Sequence, residues 1–520
     1  MRPTFIILGL LFLILPKLQA QSNFDYYWPY ASDWDLDMPG VQAFEFDFNI
    51  QPFEPTLRDS ELSMGQNNAS ICDADGNLLM YFNGCAIANG EHQIMPNGTG
   101  INAGPFFDDF WERRCDRGYP GAQDVIILPD PGNVDGYYVI HLPRSYNPDN
   151  PDPNFRFTAD SLQFSYVDLS LDNGLGEVTE KNVTFFNGSI LGAYLTAVTH
   201  DNGLDWWLIK PVFPSGFLVH SVTDAGLELA SIQPGPTWDV LYSSAGGFSR
   251  FSPDGKMYAS FSEFDGLYLY DFDRTDGSLS HERHVPFRDD GETFGNGIGF
   301  NSCEWSPNSR FIYLGASDTL WQVDTWAEPL ADGVEFIASR NPTAPDQILP
   351  NPRFSLLALG PDCRIYVRGR SGSFDMHIIH NPDEQGQACN FQQRAIELPF
   401  PSSSGSFPNF PRFRVDEEDK CDPSIVSAFG EVVYYRRDLV TYPNPVRNDL
   451  TIELPEGVGD GMLYVIDMQG QMVHSQEVSV LTGSMQLSML SLPVGMYAVE
   501  YVPRENKERV VYTSRVTRVE

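Results

Sequence analysis

The chain has 520 residues, 70 of them acidic against 33 basic, and a formal net charge of −37. It is too long for one small domain and too acidic for a nucleic-acid or anionic-membrane binder, since most of its surface would repel either partner. Aromatics at 13%, with 44 Gly and 39 Pro, favour turn-rich β structure over helical bundles.

Residues 1–20 read as a signal peptide. Arg2 supplies the positive n-region, Phe5 to Leu15 the apolar run, and Leu18-Gln19-Ala20 the small-residue cleavage site. The run is too short to span a bilayer, no second run of spanning length follows, and the cleavage site carries no Cys for a lipid anchor. The mature chain is expected to begin near Gln21, outside the inner membrane. The seven cysteines (72, 85, 115, 303, 363, 389 and 421) form no C-x-x-C and have no His at zinc-ligand spacing, so an odd thiol is left over and a structural zinc site is not expected. Cys72 with Cys85, and Cys389 with Cys421, are the sequence-local pairs to test.

Two alternating aromatic runs come first, Phe24-Asp25-Tyr26-Tyr27-Trp28 and Phe44-Glu45-Phe46-Asp47-Phe48, which read as strands without a full repeat around them. Strand–turn–strand units follow at Ala69 to Gly84, Asp124 to Leu142 and Tyr194 to Ile209. The clearest unit is Gly247 to Asp273, with period-two alternation cut at Pro253-Asp254-Gly255 and again at Asp265-Gly266. Its turn text Phe251-Ser252-Pro253-Asp254-Gly255-Lys256 returns as Trp305 to Arg310 and as Leu359 to Arg364, with the three prolines 54 residues apart both times. A fixed spacing in that range with four short strands per unit predicts an all-β fold, a β-propeller with six clear blades and about seven in all over residues 21–415. Phe407 to Phe413 is expected to pair with the orphan N-terminal strands in a mixed blade that closes the ring and removes the sheet edges. Residues 416–440 read as a linker. Residues 441–520, with short strands and turn signals about every ten residues, read as a small β-sandwich.

That last segment resembles the type A sorting domain of the type IX secretion system of the Bacteroidota. The resemblance rests on Tyr442-Pro443-Asn444-Pro445, the strand Leu450 to Leu454, the turn Asp467 to Gly470, Leu492-Pro493-Val494-Gly495-Met496-Tyr497, and a basic final strand with Lys507, Arg509, Arg515 and Arg518. It implies that the secretion machinery is a partner and that the protein is secreted or attached to the outer-membrane surface. The propeller half resembles a group of secreted proteins of the same bacteria through four texts. These are A-S-I-C-D-x-x-G-N-L-L-x-Y from Ala69, L-D-N-G-L-G-E-V-T-E-K-N from Leu171, H-D-N-G-L-D-W-W from His200 and P-N-F-P-R-F-R from Pro408. This likeness implies a propeller ectodomain and no particular activity. Where those relatives tend to carry P-D-G, this chain has Cys363, so the turn there is expected to be altered, because φ > 0 suits Gly best.

Catalytic signatures are few. There is no G-x-S-x-G elbow and no H-E-x-x-H, and His281-Glu282-Arg283-His284 lacks the i, i+4 pair of a helical zinc site. Asp73-Ala74-Asp75-Gly76-Asn77 has the flavour of a calcium loop, but its twelfth position is Gly84 rather than Glu, and an ordinary hairpin turn fits better. Ser252-Pro253-Asp254-Gly255 is half of a sialidase Asp-box without the following Thr-Trp and reads as turn chemistry. His200 beside Trp206 and Trp207 is a possible ligand cluster, although alternation puts the two tryptophans on opposite faces and so commits at least one to core. No catalytic or metal residue is assigned, and no cofactor beyond a possible Ca²⁺.

Four long insertions fall on one rim of the expected propeller: Pro96 to Gly121, Pro143 to Asp160, Gln233 to Gly246, and Pro286 to Asn301. They carry Trp111, Arg113, Arg114, Arg117, Tyr119, Arg144, Tyr146, Trp238, Tyr242, Arg288 and Glu292, the residue types that anchor protein interfaces and stack on sugars. Two functions are therefore carried forward. One is a surface-displayed, non-catalytic module binding a protein or glycan through this rim. The other is a secreted hydrolase or lyase using rim carboxylates, with Ca²⁺ as a possible cofactor.

Overall fold

The computed structural model describes residues 23–519 apart from 31–41, 60, 63, 66, 105, 109–117, 147–148, 150–156, 239–246, 263–264, 288–300, 317, 342–352, 370–372, 403–405, 417–419, 426–434, 455–459, 468–471, 479–482 and 504–509. The signal-peptide reading lies outside these residues.

Among the described residues up to Ser402, seven small antiparallel sheets follow one another. Sheet 1 is β1 (Tyr27–Tyr30), β2 (Gln42–Asp47) and β3 (Thr56–Asp59); sheet 2 is β4 (Ala69–Cys72), β5 (Leu78–Phe82) and β6 (Ile87–Asn89). Sheet 3 runs β7 (Val125–Asp130), β8 (Asn133–His141), β10 (Phe157–Asp168) and β11 (Glu177–Ile190), with β9 (Arg144–Tyr146) also on β10. Sheet 4 is β12 (Thr196–Thr199), β13 (Trp206–Pro211), β14 (Ser215–Thr223) and β15 (Gly226–Thr237). Sheet 5 is β16 (Phe248–Phe251), β17 (Met257–Ser262), β18 (Gly266–Asp273) and β19 (Ser278–Val285). Sheet 6 is β20 (Ser302–Trp305), β21 (Phe311–Ala316), β22 (Thr319–Asp324) and β23 (Val334–Ser339); sheet 7 is β24 (Leu356–Leu359), β25 (Ile365–Arg368), β26 (Ser373–Ile379) and β27 (Phe391–Ser402). In sheets 4 to 7 the strands pair strictly in chain order, first strand innermost. This is the meander of a propeller blade.

In sheets 5 and 6 the repeated turn is bridged by a serine hydroxyl. Ser252 Oγ donates to Asp254 Oδ1 (2.6 Å) and accepts from Met257 N (3.0 Å); one repeat on, Ser306 Oγ donates to Asn308 Oδ1 (2.8 Å) and accepts from Phe311 N (2.9 Å). Gly255, Ser309 and Cys363 occupy the same position with φ of 68°, 61° and 65°. The left-handed turn thus survives replacement of Gly by Cys363. Its sulfur is disulfide-bonded to Cys421.

Apolar side chains from both faces of each sheet fill the spaces between blades. Trp206 packs with Ile126, Leu128 and Tyr138 of sheet 3, whereas Trp207 belongs to the cluster holding Phe251 and Phe272 of sheet 5. Alternation along β13 thus serves both neighbours. The ring closes between sheets 7 and 1 on aromatic rings. Tyr366 of β25 lies 5.5 Å from Trp28, 5.9 Å from Phe48 and 6.1 Å from Phe53, and the Arg368 guanidinium lies 4.9 Å over Tyr30.

Two expectations are corrected here. Sheet 1 needs no mixed pairing, because β1 to β3 form a sheet of their own, while the Phe407 ring only packs edge-on against Trp28 and tilted against Tyr30 (5.4 and 5.6 Å). Neither local cysteine pair forms: Cys72, Cys303 and Cys389 are free and buried, Cys363 takes Cys421, and Cys85 is in a disulfide whose partner lies outside the described residues.

Beyond the propeller, a five-stranded and a three-stranded sheet make the C-terminal sandwich. The first has the order β28 (Tyr435–Asp438), β35 (Val510–Arg518), β34 (Gly495–Pro503), β31 (Gly461–Asp467) and β32 (Met472–Val478). The second is β29 (Val440–Tyr442), β30 (Asp449–Glu453) and β33 (Ser484–Ser488). A core of its own, including Leu450, Ile452, Leu463, Val465 and Val499, lies between them.

Candidate functional site

The axis of the ring is occupied by the chain itself. After the last blade, Phe407 to Val415 runs down the channel beside the innermost strands. At its start, Asn409 N donates to Asn68 O (3.0 Å) and Asn68 Nδ2 to Ser406 O (3.2 Å), just before β4. Asn409 Nδ2 then bridges Val125 O (2.8 Å) and Leu195 O (2.9 Å), tying sheet 3 to sheet 4. Further along, Arg412 N donates to Ala197 O (3.0 Å) and Thr199 N to Arg412 O (3.3 Å), a parallel bridge on β12. Pro408 and Pro411 have no N–H to give, so the segment meets its neighbours through isolated bonds rather than a continuous ladder. It enters where the innermost strands begin and leaves where they end, at the rim of the Ser-Pro-Asp-Gly turns. There Asp422 N donates to Pro361 O (2.6 Å) and the Cys363–Cys421 disulfide fastens it.

The channel's charges are paired along this segment. Glu304 of β20 takes Arg250 Nε at 3.3 Å and is ion-paired with Arg412, and Arg250 Nη1 donates to Asn409 Oδ1 (2.6 Å). Burial pulls the Arg250 guanidinium below its ordinary value, and Glu304 opposes that. Asp25 is held bidentate by Arg414 (2.6 and 2.8 Å), and Arg274 holds Asp416 (2.7 and 2.8 Å). Sequence reasoning did not single out Arg250, Glu304, Asn409, Arg412 or Arg414. The signal was there in Pro408 and Pro411, which argue against a ladder strand.

The opposite rim, where the innermost strands begin, receives the ends of the four long insertions. Trp111, Arg113, Arg114, Arg117, Tyr242, Arg288 and Glu292 lie outside the described residues. Of the rest, Tyr119, Arg144 and Tyr146 come together: Arg144 N donates to Tyr119 Oη (2.8 Å), and Tyr146 packs on the cluster of Cys85, Phe106, Phe107 and Tyr119. The Arg144 guanidinium is ion-paired with buried Asp124, which also accepts from Ala193 N (2.5 Å) and lies 3.6 Å from Lys210. Burial lowers the Lys210 amine to about 7 and raises the Tyr119 phenol to about 12. Trp238 is 3% exposed and packs against Tyr194, Phe217 and Tyr268. As placed, Tyr119, Arg144 and Trp238 anchor the bases of the insertions.

The other motifs act as turn chemistry. Asp73 Oδ1 accepts from Asp75 N and Asn77 N (both 2.9 Å), with Gly76 at φ 90°. His200 Nδ1 accepts from Asn202 N (3.0 Å) while its ring stacks on Trp207 at 5.3 Å. No group of three or more His, Cys, Asp or Glu side chains suited to a metal is found among the described residues.

In the C-terminal sandwich the sorting motif is structural. Asn444 donates from Nδ2 to Arg515 O (2.6 Å) and accepts at Oδ1 from Thr517 N (2.9 Å), clamping the opening motif onto the last strand. Tyr497 Oη donates to Pro493 O (2.7 Å), Leu492 packs on the sandwich core, and Arg518 Nε donates to Met489 O (2.8 Å). Tyr442, Pro443 and Pro445 lie at the end of β29 and just beyond it, Asp467 ends β31, and Gly495 opens β34; Gly470 lies outside the described residues. Residues 440–512 match the family of secretion system C-terminal sorting domains. The C-terminal domain is a type IX secretion sorting domain.

The rest of the chain is a propeller carried ahead of that sorting domain. No curated protein sequence matches it. Among solved structures it is similar to the periplasmic gluconolactonase PpgL of Pseudomonas aeruginosa, at 13% identity and TM-score 0.39 over 73% of this chain and 99% of that one. It is also similar to the BP39L lectin of Burkholderia pseudomallei, at 10% identity and TM-score 0.32 over 77% and 97%, and to TolB of Acinetobacter baumannii, at 12% and 0.28 over 74% and 83%. The protein is a propeller secreted by the type IX system. No helix among the described residues is long and apolar enough to cross a membrane.

Proposed function

We propose that this is a binding module displayed on the cell surface after signal-peptide cleavage, taking a protein or glycan ligand on its long-loop rim. The observation that supports binding over hydrolysis is the state of the channel carboxylates. Glu304 and Asp25 are each held by arginines of the threaded segment, so neither stands free as a general acid or base in the channel. The threading also supports the choice of face. The threaded segment leaves the propeller at the turn rim on its way toward the sorting domain, whereas the ends of the insertions meet the opposite rim.

The test is a glycan array and a surface-protein pull-down with the mature protein and with a Trp111→Ala/Arg113→Ala/Arg288→Ala variant. Arg144 and Trp238 are left intact because they are packed. The reading expects the variant to lose binding at an unchanged melting temperature; full binding by the variant refutes the rim. The display half is tested by deleting residues 441–520. The reading expects a folded propeller retained in the periplasm, and normal arrival at the surface refutes it.

A further inference from the structure

At the turn rim, where the threaded segment leaves the channel, there is an open cavity between that segment and the inner strands of sheets 5 to 7. Its charged lining is Arg250, Arg412, Arg414 and Lys420 against Asp25 and Glu304, four cations to two carboxylates, on a molecule of net charge −37. Asp416, next along the chain, is turned away to Arg274. Arg414 gives Nε to Lys420 O and Nη1 and Nη2 to Asp25, whereas the other two guanidinium groups are only partly used by the protein. Arg412 donates from Nε to Phe251 O (2.8 Å) and from Nη2 to Glu304, which leaves its Nη1 without a hydrogen bond among the described residues. Arg250 uses Nε on Glu304 and Nη1 on Asn409, which leaves Nη2 likewise, although its side chain is only 7% exposed. Each of these two N–H groups opens on the cavity with no protein acceptor among the described residues, so an anion there would gain a charge-assisted hydrogen bond from each.

We propose that this cavity is a binding site for a small oxyanion, held by Nη1 of Arg412 and Nη2 of Arg250, with Lys420 at the mouth. The arginines are built in: Glu304 fixes Arg250 and Arg412, Phe251 O of β16 also holds Arg412, and Asp25 fixes Arg414, so little side-chain freedom is lost on binding. The site lies at the opposite mouth from the long loops and does not depend on what those loops bind.

The experiment is calorimetric titration of the mature full-length chain with glucuronate, inorganic sulfate and inorganic phosphate, each against sodium chloride at matched ionic strength. We expect saturable one-to-one binding of at least one of the three, weakening as chloride rises. The tightest of the three tells whether the natural group is a carboxylate, a sulfate or a phosphate. Lys420→Gln, which removes charge at the mouth, should weaken that anion severalfold, and Arg412→Gln tenfold or more. Because Arg412→Gln also cuts a buried pair, its fold is checked by circular dichroism, and Lys420→Gln carries the test if it does not fold. No heat with any of the three anions, or equal affinity in wild type and Lys420→Gln, overturns the proposal.

Discussion

Sheets 5 and 6 and sheet 1 are held together by opposite means. In the first two, the turn that joins the inner strands is fixed within half a dozen residues, Ser252 serving Asp254 and Met257, Ser306 serving Asn308 and Phe311. Sheet 1 depends on the far end of the chain. Asp25 is paired with Arg414, 389 residues on, Trp28 and Tyr30 pack against Phe407, and Tyr366 packs against Trp28 and Phe48. Blades with local turns can form as they are made, whereas the closing sheet finds its partners only when the whole ring is present. Such a ring is stiff where it repeats and depends on a few distant contacts where it closes.

The largest expected effect comes from removing the closing sheet. Without residues 21–59, the flanks of sheets 2 and 7 lose their cover and the aromatic cluster around Tyr366 is exposed. Loss of the cooperative transition, with aggregation, is expected in thermal denaturation followed by light scattering. A truncated chain that melts like the full one would show that the ring closes without sheet 1.

The next effect sharpens the role of the far end. Cys363–Cys421 closes a loop with a sequence separation of 58 and fastens the segment that threads the channel. Its loss in Cys363→Ser should cost about 4 kcal/mol by the loop-entropy relation, read as a lower midpoint in urea under non-reducing conditions. Wild type with reductant, which opens the Cys85 disulfide as well, should fall at least as far. If only the variant falls, the altered left-handed turn and not the cross-link is responsible.

How much of this was legible follows from the same contrast. The 54-residue repeat and its turn texts expose the blades because their stabilising groups sit next to one another in sequence. Trp206 and Trp207 were separable by alternation alone, and the sorting domain was legible because its motif, Tyr442 to Pro445 and Leu492 to Tyr497, is short and ordered. Of the channel, only the prolines 408 and 411 of the threaded segment were legible, and its pairings were not. Asn409, Arg412 and Arg414 meet Val125, Glu304 and Asp25 only through the ring, and no spacing in the chain reports such a meeting. The same holds for the cysteines. Nearness in sequence suggested Cys389 for Cys421, but Cys389 is buried, while Cys363 sits on the turn beside which the exiting chain passes.

Acid should loosen the seam between an insertion and a blade. His141 of β8 is wholly buried, Nδ1 2.7 Å from Asn102 Oδ1 and Nε2 3.1 Å from Ser165 Oγ, and burial holds its pKa down to about 3. The unfolded chain takes up this proton near pH 6.5 and the folded one does not until about 3, so the unfolded state binds more protons throughout that window. Stability therefore falls as pH drops below 6.5, by up to roughly 1.4 kcal/mol per pH unit for this one group. Burial lowers His220 to about 4, and it adds in the same direction. Urea midpoints between pH 7 and pH 5 should slope downward, and His141→Gln should make the slope shallower. An unchanged slope in the variant would place the acid sensitivity elsewhere.

The smallest effect tests the local side of the comparison. Ser252→Ala removes the hydroxyl that accepts from Met257 N and donates to Asp254, yet leaves the backbone bond from Gly255 N to Ser252 O (2.8 Å) and the glycine φ of 68°. With one side-chain bridge gone and the backbone turn intact, the cost should be about 1 kcal/mol. Ser306→Ala removes the same pair of bonds one blade on and should cost a similar amount, although Ser309 rather than Gly supplies the left-handed residue there. The two turns touch at one point, where Asp254 N donates to Ser309 Oγ (3.1 Å), so a double variant measures whether they are independent. Costs that add within about 0.5 kcal/mol mean that each blade keeps its own turn. A coupling clearly larger than that would mean that neighbouring blades share their turns, and the division between local blades and a distant closure would then be too sharp.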